Sequence, residues 1–255
     1  MTLFDTGSRV RRAKSNINAR TPAVFLAALC SVWLARGAET PPAAAGGADG
    51  VALAIIYDTS GSMRESVPDR DGKRLPKFVI ANRALMAIGR ELASFATNGE
   101  ARRIDAGLFI FNQRGAKEVI KFGPLNADAI TEWARTFSRP EGNTPLGAAL
   151  RAAGEAVLNS PLSRKHVLVI TDGINTAGPK PEEVLPGLKA QAARSGTSLS
   201  VHFVAFDVDA QVFNPIKKLG ATVAGAADEK QLNTQLQFIM HRKILLEDEE
   251  PAKSK

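Results

Sequence analysis

The chain has 255 residues, 44% hydrophobic and 23% charged, which is enough apolar material for one large domain or two small ones with a real core. Its formal charge of +7 raises a nucleic-acid or membrane partner, but residues 1–37 hold six of the 33 basic and one of the 26 acidic residues, leaving 27 against 25, net +2, for residues 38–255. That balance removes the basic footprint on which nucleic-acid binding rests.

Residues 1–37 read as an export signal. A basic stretch, RVRRAKSNINAR, precedes an apolar run from Pro22 to Ala35, and small residues follow at which cleavage after Gly37 or Ala45 fits a small-x-small site. The run is shorter than the roughly 20 residues that cross a bilayer. Cys30, the only cysteine, follows Leu29 rather than the small residue that lipid attachment favours, and its removal with the signal leaves a chain without thiols. Such a chain suits an oxidising compartment, so a periplasmic or extracellular location is expected. Anchoring through an uncleaved N-terminus or a lipid on Cys30 is the alternative.

Residues 38–50, AETPPAAAGGADG, form a linker rich in Ala, Gly and Pro. Beyond it, strand and helix patterns alternate, which predicts a mostly parallel sheet between helices. The strands expected are 51–57, 105–111, 166–171, 199–206 and a short one at 222–224, with 117–122 as an edge strand beside 105–111. Helices are expected at 77–96, 126–137, 145–158, 181–195, 211–219 and 228–246. The first carries Phe78, Ala81, Leu85, Ile88, Leu92 and Phe95 as one apolar stripe, and the last carries Leu232, Leu236, Ile239 and Leu246 on one face. Residues 247–255 form a charged tail.

Ligands of such sheets lie at the carboxyl ends of the strands. There the first strand ends in Asp58-Thr59-Ser60-Gly61-Ser62, where Gly61 allows the turn and Asp58, Ser60 and Ser62 offer oxygens. Asp172-Gly173 follows the 166–171 strand, and Thr144-Pro145 precedes the 145–158 helix. Together Asp58, Ser60, Ser62, Thr144 and Asp172 make five oxygen donors, the type that hard cations prefer, with a position left for another ligand. Structural roles compete with this reading. Thr144 fits a helix N-cap, Ser60 and Ser62 fit turn caps, and Asp172-Gly173 is a common turn dipeptide. Residues 64–76 read as a polar loop beside these donors, and Asp207 and Asp209 as turn residues on the same rim.

The Asp58-x-Ser60-x-Ser62 motif, Thr144 before Pro145, and Thr171-Asp172-Gly173 together resemble the von Willebrand factor A (VWA) domain and its metal-ion-dependent adhesion site (MIDAS). The likeness covers residues 51–240 and assigns residues 51–246 to the domain. It implies an α/β, three-layer, Rossmann-like fold: a mostly parallel six-stranded sheet with one antiparallel edge strand. It also implies Mg²⁺, with Mn²⁺ or Ca²⁺ as alternatives, held by Ser60, Ser62 and Thr144 through hydroxyls and by Asp58 and Asp172 directly or through water. A partner protein's Asp or Glu would complete the coordination, in a binding module rather than an enzyme.

Two rivals remain. A metal-dependent hydrolase or phosphoryl-transfer enzyme needs a base near its nucleophile, and His166, His202 and His241 fall elsewhere in the predicted fold. A subunit of an ATPase or chelatase complex belongs to the cytosol, against the export signal.

Overall fold

The computed structural model describes residues 47–97, 103–112 and 115–246. The expected export signal over 1–37, all but the end of the 38–50 linker, and the 247–255 tail lie outside the described residues.

The first strand, β1 (Ala48–Tyr57), is buried along its last eight residues because both of its faces are covered by helices. Leu53, Ile55 and Tyr57 face one way, packing with Leu85, Ile88 and Leu92 of α1 (Lys77–Thr97), Ile130 of α2 (Ala127–Thr136) and Leu236 of α6 (Glu229–Ile239). Ala52, Ala54 and Ile56 face the other way, toward Leu146 and Leu150 of α3 (Leu146–Leu158) and Leu185 of α4 (Pro181–Arg194). Each fully buried Leu or Ile contributes about 1.5–3 kcal/mol of transfer free energy. The predicted α1 stripe is therefore the face that closes one core.

The main sheet has six strands in the order β5-β4-β1-β6-β7-β8. They are β4 (Arg103–Asn112), β5 (Gly115–Pro124), β6 (Leu162–Thr171), β7 (Leu199–Phe206) and β8 (Thr222–Ala226), alongside β1. All neighbours pair in parallel except β4 and β5, so the antiparallel edge strand is the one expected at 117–122. Tyr57 pairs with Ile110 on one side and Ile170 on the other, which brings the residues after β1 and β6 to the same end of the sheet.

Several boundaries differ from the sequence reading. β1 begins at Ala48, inside the expected linker, because Ala48 pairs with Leu162 and its amide donates to Pro161. Residues 64–76 contain a hairpin, β2 (Ser66–Pro68) and β3 (Arg74–Pro76), rather than an irregular loop. Its turn is shaped by Asp69, whose Oδ1 accepts the amides of Asp71 and Lys73 at 2.9 and 2.8 Å. The helix expected at 211–219 is a 3₁₀ turn, Ala210–Phe213, capped by Asp209, followed by the short α5 (Asn214–Lys218) with Pro215 in its first turn. The last helix widens into a π-type turn over Met240–Leu245, which buries both Ile244 and Leu245 and leaves Leu246, expected on the buried face, 52% exposed. Among the described residues, no helix is long and apolar enough to cross a membrane.

Candidate metal centre

Asp58 is the first residue beyond β1 and is fully buried. Its amide donates to the Ile170 carbonyl, continuing the ladder with β6 by one rung. The carboxylate accepts the Ser60 amide on Oδ1 at 2.7 Å and the Thr171 hydroxyl on Oδ2 at 2.6 Å. Burial, and then the negative charge of Asp172, push its pKa from 3.8 up to about 6 against the pull of the Ser60 and Thr171 hydrogen bonds. A buried carboxylate so placed favours a proton or another cation beside it.

The turn after β1, the loop between α2 and α3 and the loop after β6 are tied to one another by hydrogen bonds. Glu141 donates to the Thr59 carbonyl at 2.7 Å, and Gly61 donates to Gly142 at 3.2 Å, fixing the 141–144 segment against the 58–62 turn. Thr144 in turn donates its amide to the Thr176 hydroxyl and accepts the Thr176 amide on its carbonyl, at 2.8 and 3.0 Å. The α3 helix starts so close to the 173–180 loop that a Cβ on Gly147 would lie 2.1 Å from the Pro179 carbonyl oxygen. Within this frame Ser60 Oγ and Ser62 Oγ are 3.0 Å apart, and Ser62 Oγ donates to Asp172 Oδ1 at 2.8 Å.

Two of the competing structural roles, a side-chain cap by Ser60 and an N-cap by Thr144, are not those observed. Ser60 precedes the 3₁₀ turn Gly61–Arg64 without a side-chain cap bond. The N-cap of α3 is Pro145, not Thr144, and the Gly147 amide is met instead by Asn175 Oδ1 at 3.1 Å. The Thr144 hydroxyl, in a residue 4% exposed, makes no hydrogen bond to another described residue. It lies 3.9 Å from the position a Cβ on Gly173 would take, which places it beside the Asp172 loop.

Lys77, Glu65 and Asp207 join the site without having been singled out as part of it. Lys77, the first residue of α1, reaches Glu65 Oε2 at 2.8 Å, Asp172 Oδ2 at 3.0 Å and Asp207 Oδ2 at 3.0 Å. Burial alone pushes the Lys77 ammonium toward neutrality, but its hydrogen bonds to Glu65, Asp207 and Asp172 outweigh it and hold the pKa above its ordinary value. The signal present in the sequence was a lysine at the start of a helix, where the dipole disfavours a cation. Asp209 is the turn residue expected, whereas Asp207 has a left-handed backbone, φ 54°, and an ion pair.

The five residues proposed to hold a metal offer oxygens only, two carboxylates and three hydroxyls. No three His, Cys, Asp or Glu side chains converge as a metal-binding group among the described residues. A hydroxyl with no partner among the described residues and a buried carboxylate with a raised pKa fit a hard divalent cation rather than zinc-type nitrogen and sulfur ligation. His166 and His202 lie in the amino-terminal halves of β6 and β7, stacked with ring centroids 5.6 Å apart. Burial first, then neighbouring positive groups, hold their pKa values down at about 3 and about 4.

No family model matches the chain. No curated protein does either. Solved structures do match. The D319A mutant of the PilB minor pilin from Streptococcus sanguinis aligns over 76% of this chain and 61% of its own, at 17% identity and a TM-score of 0.56. Proximal thread matrix protein 1 from the mussel byssus, with a zinc-occupied MIDAS motif, aligns over 76% of this chain and 48% of its own, also at 17% identity and a TM-score of 0.56. The chain thus spans about half to three fifths of these two proteins. The VWA domain of SpRpn10 aligns over 73% of this chain and 93% of its own, at 10% identity and a TM-score of 0.50. With its strand order and single antiparallel edge, the chain has the fold of a von Willebrand factor A domain.

Proposed function

We propose that the chain is a non-catalytic, divalent-metal-dependent protein-binding module that serves adhesion or scaffolding. In this reading Asp58, Ser60, Ser62, Thr144 and Asp172 hold Mg²⁺, with Mn²⁺ or Ca²⁺ as alternatives. The observation that carries it is the meeting of three hydrogen-bonded loops beside the buried Asp58, with the Thr144 hydroxyl making no hydrogen bond to another described residue. A bound cation supplies a Lewis-acidic position at which an Asp or Glu of a partner protein can complete the coordination. Ser60, Ser62 and Thr144 contribute no charge, so where Asp58 and Asp172 act through water the ion keeps most of its charge and attracts a carboxylate. The zinc-occupied motif belongs to the mussel protein and serves here as a precedent for the fold.

An enzyme reading finds less support. Neither Ser60 nor Ser62 is hydrogen-bonded to a histidine, and His166 and His202 lie toward the other end of their strands. Export to the periplasm or the outside of the cell follows from the sequence of residues 1–37 and suits an adhesive module.

Calorimetric titration with Mg²⁺, Mn²⁺ and Ca²⁺, followed by capture of partners from an envelope extract with and without EDTA, tests the proposal. Wild-type protein should bind an ion and retain a partner only with metal, and Asp58→Ala should do neither. Retention that ignores EDTA and Asp58→Ala would refute the metal-centred mechanism.

A further inference from the structure

Lys77 is placed against two opposing forces. It opens α1, where the helix dipole repels a cation, and its side chain is only 3% exposed, so it has lost its hydration. Three carboxylates hold it, yet they are not equivalent. Glu65 and Asp207 are 69% and 40% exposed and their attraction is screened by water, whereas the Asp172 side chain is fully buried. The pairing with Asp172 therefore dominates, and it divides that carboxylate, with Oδ1 taking the Ser62 hydroxyl and Oδ2 the ammonium. Asp207 adds a second sign of construction. It is the only non-glycine residue with positive φ among the described residues, a conformation that costs of order 1 kcal/mol, and its carboxylate meets Lys77.

We infer that Lys77 is a tethered cation that competes with the metal for Asp172, weakening divalent-ion binding at this centre and biasing it against Ca²⁺. The inference rests on the metal-centre reading above. With Oδ2 neutralised, Asp172 offers one oxygen toward the hydroxyl cluster, and the buried pair of Asp58 and Asp172 carries one net negative charge less. Mg²⁺ tolerates few protein carboxylates because it keeps its waters, while Ca²⁺ takes six to eight oxygens and favours bidentate carboxylates. A released Asp172 would therefore help Ca²⁺ more than Mg²⁺. Lys77 acts through Asp172, as a positioning and selectivity residue.

The test is calorimetric titration of the full chain with Mg²⁺ and with Ca²⁺, comparing wild type, Lys77→Met, Lys77→Gln and Lys77→Arg. Removing one charge at this range should tighten Ca²⁺ binding by on the order of tenfold in Lys77→Met, and Mg²⁺ binding by less. Lys77→Gln keeps a donor for Asp172 without the charge, so it should show the same tightening and carries the test if Lys77→Met fails to fold. Lys77→Arg keeps the charge and should stay close to wild type. In EDTA the neutral variants should melt below wild type, and Ca²⁺ should raise their melting temperature more than it raises that of wild type, a readout that lost packing alone would not move. If wild type binds metal and the folded neutral variants bind it equally or less tightly, the competition is refuted and the metal centre stands. If no protein binds either ion, the metal centre falls and this inference with it.

Discussion

Ser62 and Asp172 are 110 positions apart in the chain, yet the hydroxyl of one donates to Oδ1 of the other at 2.8 Å. The bond exists because β1 and β6 are neighbours in register, so the turns that follow them share one end of the sheet. Ser62→Ala leaves a buried carboxylate oxygen short of a donor and should destabilise the metal-free protein by about 1–3 kcal/mol. Asp172→Asn should also weaken metal binding. In a double-mutant cycle the two changes are expected to be non-additive for metal affinity, by about 0.5–3 kcal/mol. Simple additivity in the calorimeter would mean that the two side chains act on different events.

Acid should weaken metal binding through Asp58. Its folded-state pKa, raised to about 6 from 3.8, means that between these values the folded protein keeps a proton that the unfolded chain has released. Without metal, this group therefore makes stability fall as pH rises from about 4 to about 6, and a cation replacing the proton reverses the loss. The apparent affinity should fall toward a limit of about tenfold per pH unit below about pH 6, with proton release on binding that disappears in Asp58→Asn. His166 and His202 have the opposite sign. Held at about 3 and about 4 against 6.5, they are protonated first in the unfolded chain, so their contribution is full above about pH 6.5 and is lost on acidification. Melting curves of wild type and Asp58→Asn across this range separate the two effects.

The fold could be read from the sequence because its signals are local and repeated. The stripe through Ala81, Leu85, Ile88 and Leu92, and the buried runs ending at Tyr57 and Thr171, state which faces meet. The five residues proposed as oxygen donors could be singled out for the same reason, each standing at the end of a predicted element. Lys77 was not, because its meaning depends on Asp172 and Asp207, which the sheet brings to it from β6 and β7. The 66–76 hairpin was missed because its strands are three residues long and its turn depends on the Asp69 carboxylate and on Glu229, 159 positions from the Arg70 amide it accepts. The π-type turn at Met240–Leu245 has no periodic signature, since it breaks the spacing by which the helix was recognised.

Gly147 should be intolerant of any side chain. A Cβ there would meet the Pro179 carbonyl oxygen at 2.1 Å and carbonyl carbon at 2.8 Å, both backbone atoms that do not rotate away. Gly147→Ala would push the start of α3 from the 173–180 loop, straining the Thr144–Thr176 and Gly147–Asn175 bonds together. The expected cost is about 1–3 kcal/mol in chemical denaturation, with weaker metal binding because Thr144 moves with the helix. Gly154→Ala is the control. Its Cβ would meet both methyls of Leu188, at 2.5 and 3.0 Å, so this side chain must shift, and the effect should stay in the α3–α4 packing, away from the metal.

Glu229 should govern the hairpin beside the site. It is 3% exposed, accepts the Arg70 amide on Oε2 at 3.1 Å and pairs with Arg83 at 3.2 Å, tying the turn of the hairpin to the start of α6. Arg83 is 41% exposed, so the ion pair is partly screened and the part-buried bond to the Arg70 amide is the firmer tie. Glu229→Gln keeps an acceptor for the Arg70 amide but loses the charge, whereas Glu229→Ala loses both. Hydrogen exchange at the Arg70 amide, with its neighbours at Asp71 and Lys73 held by Asp69, should rise strongly in Glu229→Ala and little in Glu229→Gln. Because Lys77 follows the hairpin directly and its amide donates to the Glu65 carbonyl at 2.8 Å, a released hairpin should also loosen Lys77. Metal affinity in Glu229→Ala should then move in the same direction as in Lys77→Gln. Equal exchange in all three proteins would show that the hairpin is held by β2–β3 pairing alone.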